Sequence, residues 1–160
     1  LFSPDVPEEI YGATMHLEGN SKVFLVQERL PLAHEYRVFM AGDTPAAGAG
    51  CIEHFTPLDS RGDAFDTRLE GTRGSGIITD DPALTERLVE YARTAGAALH
   101  RADPGLGYAW VLDVAINTAT NEPVVIELNP ARNAGLYASN PHAWMEAVRD
   151  KLTIEQEAAA

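Results

Sequence analysis

Two apolar stretches near the end of the chain constrain its fold most. YAWVLDVAI (108–116) and PVVIELN (123–129) are joined by the polar link NTATNE. Both stretches are rich in β-branched and aromatic residues, and a short polar link between such stretches is typical of a hairpin. We therefore expect two adjacent antiparallel strands, each carrying a carboxylate within an otherwise apolar run.

The alternation of side chains along a strand predicts where those carboxylates point. One face of the first strand is apolar and consists of Trp110, Leu112, Val114 and Ile116. One face of the second strand is apolar as well and consists of Val124, Ile126 and Leu128. Asp113 is left on the opposite face, together with Glu127 and Asn129. Because the turn lies midway between Asp113 and Glu127, we expect the two carboxylates to be cross-strand neighbours.

Two carboxylates at that separation repel each other, and each raises the pKa of the other. A divalent cation would remove the conflict, and an all-oxygen set of Asp113, Glu127 and Asn129 suits magnesium better than zinc. The sequence therefore predicts a magnesium site on this hairpin. The alternative is a solvated sheet face that holds no metal, since alternating strands often expose such residues.

Upstream segments predict further strands in the same antiparallel sheet. KVFLVQERL (22–30), HEYRVFMA (34–41) and AAGAGCIEHF (46–55) read as a three-stranded meander, with Pro31 interrupting it after the first strand. Residues 57–76 are polar and Gly-rich and predict a long loop, in which nothing distinguishes Arg61, Arg68 or Arg73 from one another.

Two helices complete the predicted fold. The first is capped by Asp81 and begins with Pro82, and its apolar stripe consists of Leu84, Leu88, Ala92, Ala95 and Leu99. The second starts near residues 140–141, with Trp144 and Val148 facing inward. We expect an α+β protein with an antiparallel sheet and helices packed on one face.

Composition and chain organisation limit the partners and the compartment. The chain has 160 residues, a net charge of −12 and only two lysines against ten arginines, which argues against nucleic acid as the main partner. No apolar run is long enough to cross a bilayer, and a single cysteine excludes an intrachain disulfide, so we expect a cytoplasmic protein without a membrane partner. We expect an irregular segment over residues 1–20, from a truncated subdomain or a linker. One domain follows over 21–150, and a tail of artificial origin over 151–160.

A second group of polar residues surrounds Pro31 in the stretch VQERLPLAHEYR. An interrupted ladder leaves main-chain donors and acceptors free, and adenine is bound by such groups in an apolar slot. Glu35 and Arg37 share one face of the following strand and suit ribose hydroxyls and a phosphate or carboxylate. The alternative is an ordinary ion pair on an exposed hairpin.

In this order, the two groups resemble the C-terminal part of the ATP-grasp fold. That family has a strand–hinge–strand with an acidic ribose ligand, then a hairpin with an acidic metal ligand and a final E-x-N motif. Glu28 and Glu35 match the hinge, Asp113 matches the metal strand, and Glu127 and Asn129 match the E-x-N within IELN. The ordered set covers about residues 22–140 and is more specific than any one motif.

The resemblance implies ATP and magnesium as ligands, with Asp113, Glu127 and Asn129 at the metal. It assigns nucleotide binding to Glu28, Arg29, Leu30, Leu32, Glu35 and Arg37. The segment PARNAGLY after the E-x-N matches the phosphate and substrate segment of the family, which makes Arg132 and Asn133 the predicted catalytic residues.

The implied activity is that of a carboxylate–amine or carboxylate–thiol ligase that works through an acylphosphate. Its substrate would be a small-molecule or peptide carboxylate. The family takes two lysines and a Gly-rich lid from a preceding subdomain, which this sequence does not display, so we expect a missing N-terminal subdomain or a homo-oligomer. A non-catalytic nucleotide-binding or assembly module is the first alternative, and a plain α+β interaction domain with solvated acidic strands is the second.

Overall fold

The computed structural model describes residues 29–158. Contacts divide the chain between Leu30 and Pro31, and every element below belongs to the part that begins at Pro31. Residues 29–158 contain six strands, namely β1 (Leu32–Ala41), β2 (Thr44–Gly50), β3 (Arg68–Glu70), β4 (Ile78–Asp80), β5 (Ala109–Asn117) and β6 (Glu122–Pro130). The same described range contains two α-helices, α1 (Pro82–Ala102) and α2 (Pro141–Ala158), and three single-turn 3-10 helices at Pro57–Asp59, Pro104–Leu106 and Ala131–Asn133.

The main sheet is antiparallel throughout, with the strand order β2-β1-β5-β6. This confirms the α+β class and the predicted β5–β6 hairpin. The predicted meander is wrong in its order, because β1 has β2 on one side and β5 on the other. Of the predicted strand over 22–30, residues 22–28 lie outside the described part, and Arg29 and Leu30 are not in a strand.

The two helices pack on opposite faces of the sheet, which corrects the prediction of one covered face. Even-numbered residues of β1 and β5, such as Val38 and Leu112, pack against Leu88 and Ala92 of α1. Odd-numbered residues pack on the other side against α2, and this second cluster includes Phe39, Val111, Trp144 and Val148. Strand β5 is buried at nearly every position, as strands covered on both faces are.

Both helices begin as their sequences predict. The Asp81 side chain accepts a hydrogen bond from the Leu84 amide at 3.0 Å, which caps α1 ahead of Pro82. The predicted stripe of α1 is buried or half-buried against the core. In α2 the Trp144 indole donates to the Met40 carbonyl at 2.9 Å, and its ring lies 4.9 Å from that of Phe39. Helix α2 continues to Ala158, into the residues that the sequence sets apart as a tail.

Strand β2 ends at Gly50, five residues before the predicted boundary. At Cys51 the chain turns with φ = 53°, in the left-handed region. Gly48 explains why β2 lies so close to β1, because a Cβ at this position would sit 2.6 Å from the Tyr36 ring and 2.9 Å from the Arg37 carbonyl oxygen. Burial raises the pKa of the Cys51 thiol to about 11, which is unsuited to a nucleophile.

The segment predicted as a loop over 57–76 contains the strand β3, which pairs with β4 in a separate hairpin. Three-residue strands carry too little alternation to be recognised in a sequence. The tip of this hairpin (71–77) docks on β1, where the His34 amide donates to the Gly71 carbonyl at 2.7 Å. There β1 departs from regular pairing with β5, and His34 has φ = 54°. Within the described residues, no helix combines the length and the apolar character that a membrane span requires.

Candidate functional site

Three charged side chains form a row across the sheet on the face that α2 covers. Arg37 on β1 is the register partner of Asp113 on β5, and Asp113 is the register partner of Glu127 on β6. The predicted cross-strand pairing of Asp113 with Glu127 is therefore confirmed. We call Arg37, Asp113 and Glu127 the charged row.

Arg37 and Asp113 form a buried bidentate ion pair. The guanidinium donates from Nε to Asp113 Oδ1 at 2.8 Å and from Nη2 to Oδ2 at 2.6 Å. Arg37 is 7% exposed and Asp113 is 1% exposed. Two parallel bonds to one carboxylate are the strongest form of such a pair, so Asp113 has a counter-ion within the protein itself.

Asn129 connects the two carboxylates. Its side-chain Nδ2 donates to Asp113 Oδ2 at 3.1 Å and to Glu127 Oε1 at 2.9 Å. The charged row and Asn129 therefore share one hydrogen-bond network, in which Glu127 is the exposed member. An amide that donates to two carboxylates offsets part of their mutual repulsion.

A β-bulge in β6 changes which of its residues face the core. Asp113 pairs with Glu127, but Val114 pairs with Val125, so Ile126 is an extra residue. Val125 packs against the α1 side of the core. The predicted apolar face of Val124, Ile126 and Leu128 is therefore wrong in its first half, while the face of Glu127 and Asn129 is as predicted.

Tyr137 completes the site and was missed in the sequence. Its hydroxyl accepts from Arg37 Nη1 at 2.9 Å, and the Arg37 guanidinium carbon lies 4.8 Å from the centre of its ring. The Gly135 carbonyl accepts from the same Nη1 at 3.4 Å. Tyr137 lies in an irregular segment without periodicity, so its only signal was an aromatic residue among polar and small ones.

Glu35 and Arg73 border the charged row. Arg73, from the tip of the β3–β4 hairpin, donates to Glu53 Oε1 at 2.8 Å and lies 3.8 Å from Glu35 Oε2. Its side chain is 60% exposed. Arg73 therefore lies beside the charged row, whereas Arg61 does not. Arg61 pairs with Asp80, which lies at the end of the hairpin opposite to its tip.

Burial and neighbouring charges shift the pKa of three groups. Burial raises the pKa of Asp113 and Glu127 adds to the effect, while Arg37 opposes it. Burial also raises the pKa of Glu35, with Asp113 and Glu127 adding to it against Arg73 and Arg37. Burial acts to lower the pKa of Arg37, but its bonds to Asp113 outweigh this and the pKa is raised. Arg37 is thus a permanent cation at any working pH.

The other predicted residues lie at the edges of this site or outside the described part. Leu32 opens β1 and is half-buried. Arg29 and Leu30 belong to the other unit, which ends at Leu30, and Glu28 is not described. Arg132 and Asn133 are exposed in the 3-10 helix that follows β6. Arg132 also lines a cavity of about 540 Å³ with Leu106, Trp110 and Leu128.

The donor set suits magnesium at one carboxylate more than at the other. Among residues 29–158, three or more His, Cys, Asp or Glu side chains nowhere gather into a metal-binding group. Asp113 is already neutralised by Arg37, but Glu127 is exposed and accepts from an amide only. Turning the Asn129 amide by half a rotation exchanges its nitrogen for its oxygen, which gives two oxygen ligands side by side.

A scan against models of protein families and searches of curated proteins and of solved structures find no match to this chain. The resemblance to the ATP-grasp family therefore depends on the residues described above, and membership of that family stays a proposal.

Proposed function

We propose that this chain provides the nucleotide- and metal-binding half of an ATP- and magnesium-dependent ligase of the ATP-grasp type. It would join a carboxylate to an amine or a thiol through an acylphosphate. The observation that supports this most is the pairing of Asp113 with Glu127 in register, with Asn129 bonded to both. A buried carboxylate such as Asp113 that faces a second carboxylate is costly in a mere scaffold, which makes a functional role the better explanation.

Glu127 and Asn129 are the residues that would hold magnesium, with Asp113 held behind them by Arg37. Magnesium, when bound, would neutralise charge on the β- and γ-phosphates of ATP. Arg37 was predicted to hold a phosphate or a carboxylate, and in the proposal it acts on the carboxylate of Asp113 rather than on the nucleotide. Arg37 thus keeps Asp113 ionised and oriented next to Glu127.

The nucleotide would lie between the start of β1 and the charged row. Glu35, half-buried beside that row, would accept hydrogen bonds from the ribose hydroxyls. Leu32, at the start of β1, would contact adenine, as the ATP-grasp resemblance implies. Arg132 and Asn133, directly after the E-x-N motif, would stabilise charge on the transferred phosphoryl group.

The reaction requires little covalent chemistry from the protein. A carboxylate oxygen of the substrate attacks the γ-phosphorus and the bond to the bridging oxygen breaks, so ADP leaves and an acylphosphate remains. An amine or thiol then attacks the acyl carbon and inorganic phosphate leaves. The side chains contribute position and opposite charge, which is how phosphoryl transfer is generally catalysed.

A non-catalytic nucleotide-binding module is a second candidate, and the Arg37–Asp113 pair favours it. A guanidinium that already neutralises Asp113 reduces the need for a metal ion there. The chain also has only two lysines, Lys22 and Lys151, and Lys151 is paired with Asp43 on the surface. Release of ADP in the presence of a carboxylate and an amine distinguishes the ligase from this candidate.

The first experiment is a thermal melt of the chain with ATP, with magnesium, and with both. A ligand at about 100 times its dissociation constant adds about 2.7 kcal/mol to the unfolding free energy. We expect a rise of several degrees that needs both components and is absent in Glu127→Gln. Equal melting temperatures in all three conditions would contradict nucleotide binding by this chain.

A further inference from the structure

We propose that Tyr137 is a positioning residue that holds Arg37 against Asp113. By the same contact it fixes the segment between Asn129 and Tyr137 beside the charged row. The effect on Arg37 follows from geometry alone. The effect on nucleotide binding rests on the proposed function, and the two are tested separately below.

Tyr137 contacts Arg37 in two ways that together fix the plane of the guanidinium. The hydroxyl accepts from Nη1 at 2.9 Å, and the centre of the ring lies 4.8 Å from the guanidinium carbon. Asp113 engages the opposite edge through Nε and Nη2. Arg37 is therefore held from both sides, and loss of the Tyr137 contacts frees it to rotate away from Asp113.

The backbone around Tyr137 is shaped to present this ring. Tyr137 has φ = 47°, a left-handed conformation that a bulky side chain rarely adopts unless its surroundings impose it. Gly135 allows the ring to lie against the chain, because a Cβ there would meet the ring carbons at 3.1 Å. Between them, Leu136 packs into the core on the α2 side. A strained residue whose two preceding residues support the same arrangement indicates a defined role for the ring.

The segment from Asn129 to Tyr137 is attached to one ion pair at both of its ends. Asn129 donates to Asp113 Oδ2 at 3.1 Å, and Tyr137 accepts from Arg37 at the other end. Between these two attachments lie Arg132 and Asn133, which are exposed. Removing the Tyr137 contacts leaves Asn129 and the longer bond of the Gly135 carbonyl as the links between this segment and the ion pair, so the geometry of Arg132 relative to the charged row depends on Tyr137.

The direct test measures solvent exchange of the Arg37 Nε–H by NMR in protein labelled with ¹⁵N-arginine, without nucleotide. Arg37→Lys identifies the signal. We expect Tyr137→Leu to accelerate exchange about tenfold, the size expected for a lost cation–π contact and hydrogen bond. Tyr137→Phe, which keeps the ring, accelerates it about threefold. Tyr108→Leu is the matched control, because Tyr108 is a half-buried tyrosine packed on the same side of the core.

A second measurement follows the magnesium concentration at half-maximal stabilisation in the presence of ATP. We expect Tyr137→Leu to raise this concentration about tenfold, whereas Tyr108→Leu lowers the melting temperature without moving it. A purely structural role for Tyr137 would also lower the melting temperature and leave the magnesium midpoint unchanged. The midpoint therefore separates positioning from stability.

Each outcome is decisive for one of the two proposals. Arg37 exchange that is unaltered in Tyr137→Leu overturns the positioning role. If that variant does not fold, Tyr137→Phe decides, and a wild-type exchange rate there overturns the role equally. A wild-type protein without any magnesium–ATP stabilisation overturns the proposed function, while the exchange experiment still tests Tyr137.

Discussion

Arg37 holds both carboxylate oxygens of Asp113, at 2.8 and 2.6 Å, from the neighbouring strand. The sequence predicts that a magnesium ion from solution offsets the charge of Asp113 and Glu127. In the structure, Arg37 supplies part of that positive charge. Glu127 lies one strand further and is exposed, so the negative charge that remains is concentrated at the accessible end of the row.

Replacing Arg37 tests the ion pair. Arg37→Met leaves Asp113 buried without a partner, and we expect a loss of about 3–5 kcal/mol in unfolding free energy, measured with urea. Magnesium should restore part of that loss, because Asp113 then has no other cation beside it to offset its repulsion with Glu127. Arg87→Met is the control, since Arg87 pairs with the exposed Glu122 and should cost about 0–1 kcal/mol. Equal losses in the two variants would contradict the importance of burial.

Replacing Glu127 separates function from stability. Glu127→Gln relieves repulsion with Asp113 and keeps an acceptor for Asn129, so we expect unfolding free energy to change by about 0.5 kcal/mol or less. If the ligase proposal holds, ADP release falls to background in this variant. Glu122→Gln, on the same strand and also exposed, should retain activity. A Glu127→Gln variant that fails to fold would show that the residue is structural.

Glu35 predicts a pH-dependent stability. Its pKa is raised above the ordinary glutamate value of 4.5, by burial and by Asp113 and Glu127. The folded state therefore holds this proton more tightly than the unfolded state, and stability is lost as the pH rises from 4.5 through the folded pKa. Glu35→Gln cannot ionise and escapes that loss. We expect its stability relative to wild type to increase across this window in urea titrations, and a constant difference from about pH 3 to about pH 8 would contradict it.

Arg73 is the exposed cation nearest to Glu35, and its surface ion pairs exchange at little cost. If Glu35 binds the ribose as proposed, Arg73, which lies 3.8 Å from Glu35 Oε2, is an exposed cation beside the nucleotide. Arg73→Ala should then weaken nucleotide binding about tenfold, as measured by titration calorimetry, with a small effect on stability. Arg61→Ala should bind as wild type does, because Arg61 precedes the hairpin and is paired with Asp80 at the end of β4. Equal affinities for the two variants would argue against this role.

Gly48 tests the close approach of β2 to β1. A methyl group at Gly48 meets the Tyr36 ring and the Arg37 carbonyl, so we expect Gly48→Ala to cost about 1–3 kcal/mol and to lower the melting temperature by several degrees. Gly71→Ala is the matched control, because its nearest neighbours are 3.9 Å from the added atom. Similar melting temperatures for both variants would indicate that β2 moves away without cost.

Much of the sheet and of its acidic residues was predictable because both depend on alternation. Asp113 and Glu127 were located by counting along two strands from a turn, and the Asp81–Pro82 start of α1 followed from helix capping. The partner of Asp113 was not predictable in this way. Arg37 lies 76 residues away along the chain, and its contact requires the strand order β1-β5, which the expected meander did not contain.

Irregular backbone accounts for the other differences between the fold predicted from the sequence and the structure. The bulge at Ile126, the left-handed Tyr137 and the early end of β2 at Gly50 each depend on a tertiary neighbour rather than on local propensity. The second covered face of the sheet was missed for a related reason. Its apolar residues, among them Phe39 and Val111, occupy the same face as Arg37 and Asp113, so a mixed pattern concealed it.

The extra residue at Ile126 separates two demands on β6. Between the hairpin turn and the bulge, side chains of β6 are directed by packing against the core beneath α1, as Val125 shows. Beyond the bulge, Glu127 and Asn129 lie on the same face of the sheet as Asp113. A change of packing near the turn is therefore absorbed before it reaches the carboxylates. One half of this nine-residue strand can therefore accept substitutions that suit the core, while the other half keeps the residues of the charged row.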